Sequence, residues 1–321
     1  MLASLSRGFF LTLADSASLK RLASRYGMRG REGFARRFIG GETLDEAIET
    51  ASQLERRGLL HTLNHLGEHV RTVAKAEAAT VEYLTIIERV RSARLTCNLS
   101  LKLTQLGLEL DRATSATNLR RILEAAEQGH GFVRIDMENS PIVSATLELF
   151  ETLWQQGHRN VGVVLQAALY RSEDDLRRMN ALGARVRLVK GAYKEPERVA
   201  YQQKAAVDAA FLRLMCGLLQ DGAYPAIATH DPKMIQAGCA FAREHGISTD
   251  RFEFQMLYGV RRDLQASLHA QGYRLRIYLP FGHEWFPYFM RRLAERPANV
   301  AFVIKGVLHE HVGQGQAFGK H

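Results

Sequence analysis

Only three cysteines, Cys97, Cys216 and Cys239, occur in 321 residues, far apart and odd in number. They argue against a disulfide framework and a cysteine-based zinc site, and they suit a reducing, cytoplasmic compartment. No apolar run approaches the roughly 20 residues that span a bilayer. No charged leader with an apolar centre and a small-residue cleavage site opens the chain, so a secretory signal is not expected. No GxGxxG follows the first β-like run and no Walker A sequence is present, which argues against a Rossmann or P-loop cofactor site. HExxH is absent, as is a nucleophile elbow with Ser, Asp and His in order. His61, His65 and His69 recur every four residues. That spacing would suit a metal face on a helix, but it means nothing if residues 58–64 form a strand, and no metal is expected.

Charge of one sign is plentiful but unevenly placed. The net charge is +9, and residues 1–40 hold eight Arg and Lys against Asp15 and Glu32. The first forty residues therefore carry +6, leaving +3 for the rest. This basic arm includes the apolar piece Phe9-Phe-Leu-Thr-Leu. It reads as a helical arm packed on the body, a contact with an anionic membrane surface, or an organelle transit segment. Nucleic-acid binding would need basic and aromatic residues interleaved on one surface. Most of the excess charge lies on the arm instead, so no nucleic-acid partner is expected.

After residue 40, short β-like runs alternate with helical ones. The β-like runs are 58–65, 96–102, 131–137, 161–166, 185–190, 225–230, 251–256 and 273–278, with a weaker ninth at 300–304. Helical composition marks 118–128, 141–156, 172–182, 196–220 and 231–244. Pro141 and Pro196 fit first helical turns, and Asp231 before Pro232 is a candidate N-cap. Repeated strand–helix alternation implies parallel strands joined by crossovers. Eight such units in about 250 residues predict a (β/α)8 barrel. An open doubly wound sheet is the alternative. The expected organisation is a helical arm over 1–45 and a barrel catalytic domain over 46–321.

Lys102, Asp136, Gln166, Arg187, Lys190, Thr229, His230, Gln255 and Tyr278 are expected at or just past strand ends. In a barrel those ends share the face where catalysis occurs. A helix starting near Glu284 would carry Arg291 and Arg292, with Glu295 about one turn on. Paired arginine forks make a strong trap for a carboxylate. The set suits a small acid plus a larger polar cofactor. A lyase or aldolase using Lys102 or Lys190 as a Schiff base is a rival reading, requiring a lysine of depressed pKa.

Several segments resemble the successive motifs of the proline dehydrogenase family. They include Asn98-Leu-Ser-Leu-Lys-Leu-Thr-Gln, Arg134-Ile-Asp-Met-Glu, Val163-Val-Leu-Gln, Arg187-Leu-Val-Lys-Gly-Ala-Tyr and Ala228-Thr-His. Phe252-Glu-Phe-Gln-Met-Leu-Tyr-Gly, Arg276-Ile-Tyr-Leu-Pro-Phe-Gly and Arg291-Arg-Leu-Ala-Glu complete the series. The resemblance runs in order over residues 40–300. In length the chain looks like the stand-alone bacterial form rather than the long fusion with an aldehyde dehydrogenase.

The resemblance implies an α/β fold, a distorted (β/α)8 TIM-type barrel with an N-terminal helical arm, holding FAD non-covalently. It implies oxidation of L-proline to Δ1-pyrroline-5-carboxylate. Hydride would pass from proline C5 to flavin N5, and electrons commonly go on to quinone or another acceptor. Arg291, Arg292 and Lys102 would hold the substrate carboxylate. Leu257, Tyr278 and Tyr193 would wall its pocket. Glu68 would pair with Arg292 as a gate, and Glu295 belongs to the same helix motif. Arg187 would lie beside N5, and Asp136 would organise the neighbouring Arg and Lys side chains. Met137 and Gln166 match isoalloxazine positions. Lys190, Gly191 and Ala192 match a turn along the cofactor chain, and Thr229, His230 and Gln255 match further FAD contacts. Peripheral membrane contact through the basic arm fits delivery of electrons to quinone. Phe281 stands where the family often has tyrosine.

Overall fold

The computed structural model describes residues 34–295. Eight parallel strands close into one barrel in sequence order. They are β1 (Leu60–His65), β2 (Asn98–Leu101), β3 (Phe132–Ile135), β4 (Val161–Gln166), β5 (Arg185–Val189), β6 (Ala226–Ala228), β7 (Glu253–Leu257) and β8 (Leu275–Phe281). β8 pairs with β1 over six positions, from Leu60 opposite Arg276 to His65 opposite Phe281. That ladder closes the cylinder.

Nine α-helices, besides short 3-10 turns at Phe34–Arg37 and Leu103–Leu106, complete the described chain: α1 (Leu44–Arg56), α2 (Val73–Ser92), α3 (Arg112–Glu127), α4 (Ser140–Gln155), α5 (Ser172–Leu182), α6 (Lys204–Asp221), α7 (Pro232–Glu244), α8 (Arg262–Ala270) and α9 (Trp285–Glu295). Their starts have local causes. Thr43, Thr72, Asp111 and Asp231 each accept a backbone N–H of the first turn, satisfying donors that the helix leaves orphaned. Asp231 caps α7 and Pro232 fills its first position, as the sequence suggests.

Most strands alternate between an apolar outer face and a polar inner one. Leu63, Leu99, Leu101, Val133, Ile135, Val163, Val186, Leu188, Ile227, Phe254, Ile277 and Leu279 are fully buried in the shell between strands and helices. Their neighbours in sequence face the barrel axis, because successive strand side chains point to opposite faces. Most of those inward residues are polar, among them Thr62, Ser100, Arg134, Arg187, Glu253, Gln255 and Arg276, all but Arg276 buried and Arg276 mostly so, while Val164 and Ala226 are small apolar exceptions. Gly162 makes room for this filling. A Cβ there would lie 2.6 Å from Arg134 Nη1 and 2.4 Å from the Arg185 carbonyl oxygen. Arg134 Nη1 uses that space to donate to the carbonyls of Val163 and Arg185, at 3.0 and 2.5 Å.

A second apolar cluster caps the barrel mouth. Ala35, Phe38 and Ile39 pack with Leu66 and with Trp285, Phe286 and Phe289 of α9. Gly40 N–H donates to the Pro280 carbonyl at the end of β8 (2.8 Å). Residues 1–33 of the expected arm and the ninth β-like run at 300–304 lie outside the described residues.

Some sequence expectations shift. Pro196 does not begin a helix. Residues 196–203 instead tie back to the β4–α5 connection, where Tyr170 N–H donates to Val199 O and Tyr201 N–H to Ala168 O, so α6 starts only at Lys204. α3 begins at Arg112, six residues before the expected start, because Asp111 supplies its cap. β8 extends to Phe281, since its partner β1 continues to His65. His61 and His65 sit on β1, so the four-residue histidine spacing makes no helical face. No cluster of metal-binding side chains occurs among the described residues.

Candidate active site

The C-terminal mouth of the barrel gathers most of the residues anticipated from sequence. Asp136, one residue beyond β3, is its centre. Its Oδ1 accepts from Arg187 Nη1 at 2.6 Å and its Oδ2 from the Tyr278 hydroxyl at 2.7 Å. Arg187 is held in three directions: its Nη2 donates to Ser100 Oγ at 2.9 Å and its Nε to Gln255 Oε1 at 2.5 Å. The guanidinium also lies 5.3 Å from the centre of the Tyr278 ring, within cation–π range. Burial, and next the charge of Asp136, push the Tyr278 hydroxyl well above its ordinary pKa. The phenol therefore stays protonated and donates.

Arg187, Gln255 and Tyr278 were expected at strand ends but lie inside β5, β7 and β8. Arg187 still meets Gln255 and Asp136, and Tyr278 meets Asp136, through their inward-facing side chains. Lys102, Asp136, Lys190, Thr229 and His230 do follow directly on their strands, and Gln166 ends β4.

Above this layer sit the cations. Lys102 Nζ pairs with Glu68, whose other oxygen accepts from Arg291 Nη1 at 3.2 Å. Burial, and then the neighbouring charge of Arg291, lower the Lys102 amine to about 8. Burial, and then Arg292, also lower Arg291. The Arg292 guanidinium stacks over the Tyr288 ring at 5.0 Å. Glu68 thus engages Lys102 and Arg291 in this structure, where the sequence pointed to Arg292. Glu295 closes α9, and its side chain lies outside the described residues. A cavity of about 410 Å³ opens beside this group, lined by Asn64, Leu66, Glu68, Lys102, Gln105, Pro287 and Arg291 among others.

The other half of the mouth is built by β4 to β7. Gln166 Nε2 donates to the Glu138 carbonyl at 2.9 Å, beside buried Met137. Gly191, at φ +114°, forms a turn that a side chain would obstruct, its Cβ falling 3.2 Å from Ala168 Cβ and 3.5 Å from Gln166 Oε1. Ala192 and Tyr193 continue that turn. Lys190 Nζ donates to Asp208 at 2.5 Å and Asp231 at 2.8 Å. Burial alone would lower its pKa, but the two carboxylates outweigh this and raise it, the reverse of what a Schiff-base lysine requires. Thr229 Oγ1 accepts from Asp231 N–H, and His230 Nε2 accepts from the N–H of Leu257 at 2.9 Å. The neutral His230 ring therefore carries its proton on Nδ1.

Sequence reasoning missed four contributors. Ser100 supports Arg187, Glu253 supports Gln255, Arg276 supports Glu253, and Glu138 accepts from Thr104 N–H and Oγ1 at 3.2 and 2.7 Å. The first three carry a readable signal, a polar residue at every second position of a strand otherwise fully apolar.

Comparison with known proteins shows the family and the fold. A family profile described as proline dehydrogenase matches residues 47–305. The chain belongs to the proline dehydrogenase family. It is 43% identical to proline dehydrogenase 2 of Bacillus subtilis over 94% of this chain and 99% of that one. It is 42% identical to the proline dehydrogenase of Deinococcus radiodurans over 96% and 99%. A structure of proline utilization A from Bdellovibrio bacteriovorus, inactivated by N-propargylglycine, superposes with a TM-score of 0.76 at 26% identity. That match covers 81% of this chain and about a third (32%) of the longer protein. As a proline dehydrogenase the chain is an oxidoreductase of the first step of proline catabolism.

Proposed function

We propose that the chain oxidises L-proline to Δ1-pyrroline-5-carboxylate, with FAD supplying a hydride acceptor at N5 opposite proline C5 and passing electrons to a quinone. The observation that carries this reading is the mouth of the barrel. There a fixed guanidinium–carboxylate–phenol layer of Arg187, Asp136 and Tyr278 lies among the cations Lys102, Arg291 and Arg292.

The residues present suit the cofactor. Gln166, Gln255, Thr229, His230 and Lys190 form a neutral and cationic donor set, and the bare turn at Gly191 leaves room beside Gln166. Met137, Ala192 and Tyr193 complete that wall. Arg187 would place positive charge where electron density accumulates.

Lys102, Arg291 and Arg292 would bind the proline carboxylate, displacing Glu68 from Lys102 and Arg291. Leu257, Tyr278 and Tyr193 would enclose the ring. The ring nitrogen must be unprotonated for its lone pair to form the C=N bond. Three nearby cations disfavour the ammonium form and favour that state. Asp136 accepts two hydrogen bonds already and acts by holding Arg187 and Tyr278. The protein is proposed to be cytoplasmic, its basic N-terminal arm contacting an anionic membrane surface where quinone resides. No described helix is long and apolar enough to cross a membrane.

Replacing Arg291 or Arg292 by Met tests the carboxylate assignment. One charge-assisted bond is worth about 1.5–3 kcal/mol, so KM for proline should rise about ten- to a hundredfold with flavin content kept. An unchanged KM in both variants would overturn it.

A further inference from the structure

Arg187 owes its orientation to a chain of side chains that continues down the barrel axis. Its Nε–H needs an acceptor, and Gln255 Oε1 provides it at 2.5 Å. An amide can be turned either way, and turned over it would present NH2 to the guanidinium. The Gln255 amide must therefore be fixed from its other end. Glu253, two residues earlier on the same inward face of β7, accepts from Gln255 Nε2 at 2.5 Å. An ionised carboxylate can only accept, so it permits one amide orientation.

The carboxylate is itself immobilised. Glu253 is 2% exposed. Its Oε1 and Oε2 accept from Arg276 Nε and Nη2 at 2.7 and 2.9 Å, and Oε2 also accepts from the Tyr224 hydroxyl at 3.1 Å. Arg276 is tied in turn to the His61 carbonyl of β1 at 2.8 Å. Burial alone would raise the Glu253 carboxyl, but Arg276 and these hydrogen bonds outweigh it and keep its pKa below the ordinary glutamate value. The register leaves space for the arrangement, because Ala226 of β6 stands between Arg187 and Glu253 at the same level.

We propose that Glu253 is a positioning residue for the reaction. It locks the Gln255 amide so that its oxygen faces Arg187 Nε, and thereby holds the Arg187 guanidinium toward the barrel mouth. This rests on the placement of Arg187 beside the flavin, but the test separates the two. In protein labelled with 15N at arginine Nε, the Arg187 Nε–H signal, assigned by its loss in R187K, reports the bond directly without turnover. In Glu253→Gln, hydrogen exchange at this site should accelerate roughly tenfold or more, the worth of one charge-assisted bond. Glu253→Asp, which keeps an acceptor-only partner, should restore much of the protection. The flavin potential of Glu253→Gln should become more negative, and kcat should fall more than KM rises.

Loss of Glu253 leaves Arg276 buried without its carboxylate. The paired variant E253Q/R276Q, which orphans no charge, is therefore measured alongside. An Arg187 Nε–H signal unchanged in either folded variant overturns the proposal. So does a wild-type Gln255 amide whose NH2 is found facing away from Glu253. An accelerated exchange with an unmoved potential would keep the positioning role and instead reject Arg187 as the flavin's neighbour.

Discussion

Arg187 bonds to three side chains on three other strand segments, and Lys102 lies one layer above it under a different constraint. Lys102 is buried beside Arg291, and its amine titrates near 8. Below that pH it is charged and can hold a carboxylate; as pH rises through about 8 it loses the charge. KM for proline should therefore be low at neutral pH and climb above about 8 in the unaltered enzyme. In Lys102→Met it should be high throughout and show no such climb. A retained climb in that variant would assign the titration to another group. At this scale the sequence was most informative where chemistry is unusual. Arg187, Lys102, Asp136 and Tyr278 stood out because charged or phenolic groups lie within or at the end of β-like runs. Ser100 and Glu253 did not, because their importance depends on which strands become neighbours across the barrel. The Glu68–Arg291 contact depends on how a loop and α9 meet above the barrel, which spacing does not encode.

Element boundaries follow from caps and partners. Helix α9 is the element on which the substrate reading depends most. Its apolar stripe of Trp285, Phe286 and Phe289 packs on Phe38, Ile39 and Leu66, in a cluster separate from the main core. Trp285 Nε1 also donates to Glu42 at 2.7 Å. Truncating Trp285 to Ala should cost about 3–5 kcal/mol of packing. Because the cluster is separate, this cost should fall on α9 and the segment beneath it. Hydrogen exchange over residues 284–292 should accelerate and KM for proline should rise, while amides of β4 to β6 keep their protection. Uniform loss of protection through the barrel would show that α9 is not an independent lid. The start of α9 was legible from the sequence. The late start of α6 was not, since Pro196 satisfies the local rule for a helix start while loop-to-loop hydrogen bonds govern the segment.

The whole barrel inverts the usual economy of parallel strands. Strands buried on both faces are commonly apolar throughout, whereas here one face carries arginines, a glutamate and hydroxyls joined by hydrogen bonds. The eight-unit alternation made the barrel legible, because repeated strand–helix units leave few topologies. The charged interior was not anticipated, since its partners are up to 215 residues apart in sequence. The barrel also makes a pH prediction. Burial holds His61 down to about 4 and lowers His65 as well. Between their unfolded value near 6.5 and about 4, the unfolded chain binds protons that the native chain refuses. Stability should be full above 6.5 and decline as pH falls through that window. Burial raises Glu138, which acts in the opposite sense. His61→Gln should flatten the decline measured by urea unfolding at a series of pH values; an identical slope would assign it elsewhere.

This barrel mouth is proposed to hold a flavin that L-proline reduces. The absorption spectrum of the purified protein, recorded before and after anaerobic addition of L-proline, tests it most directly. Flavin bands that bleach on addition are the predicted result. A protein that stays colourless after incubation with FAD, or a yellow one that L-proline leaves unchanged, would contradict it.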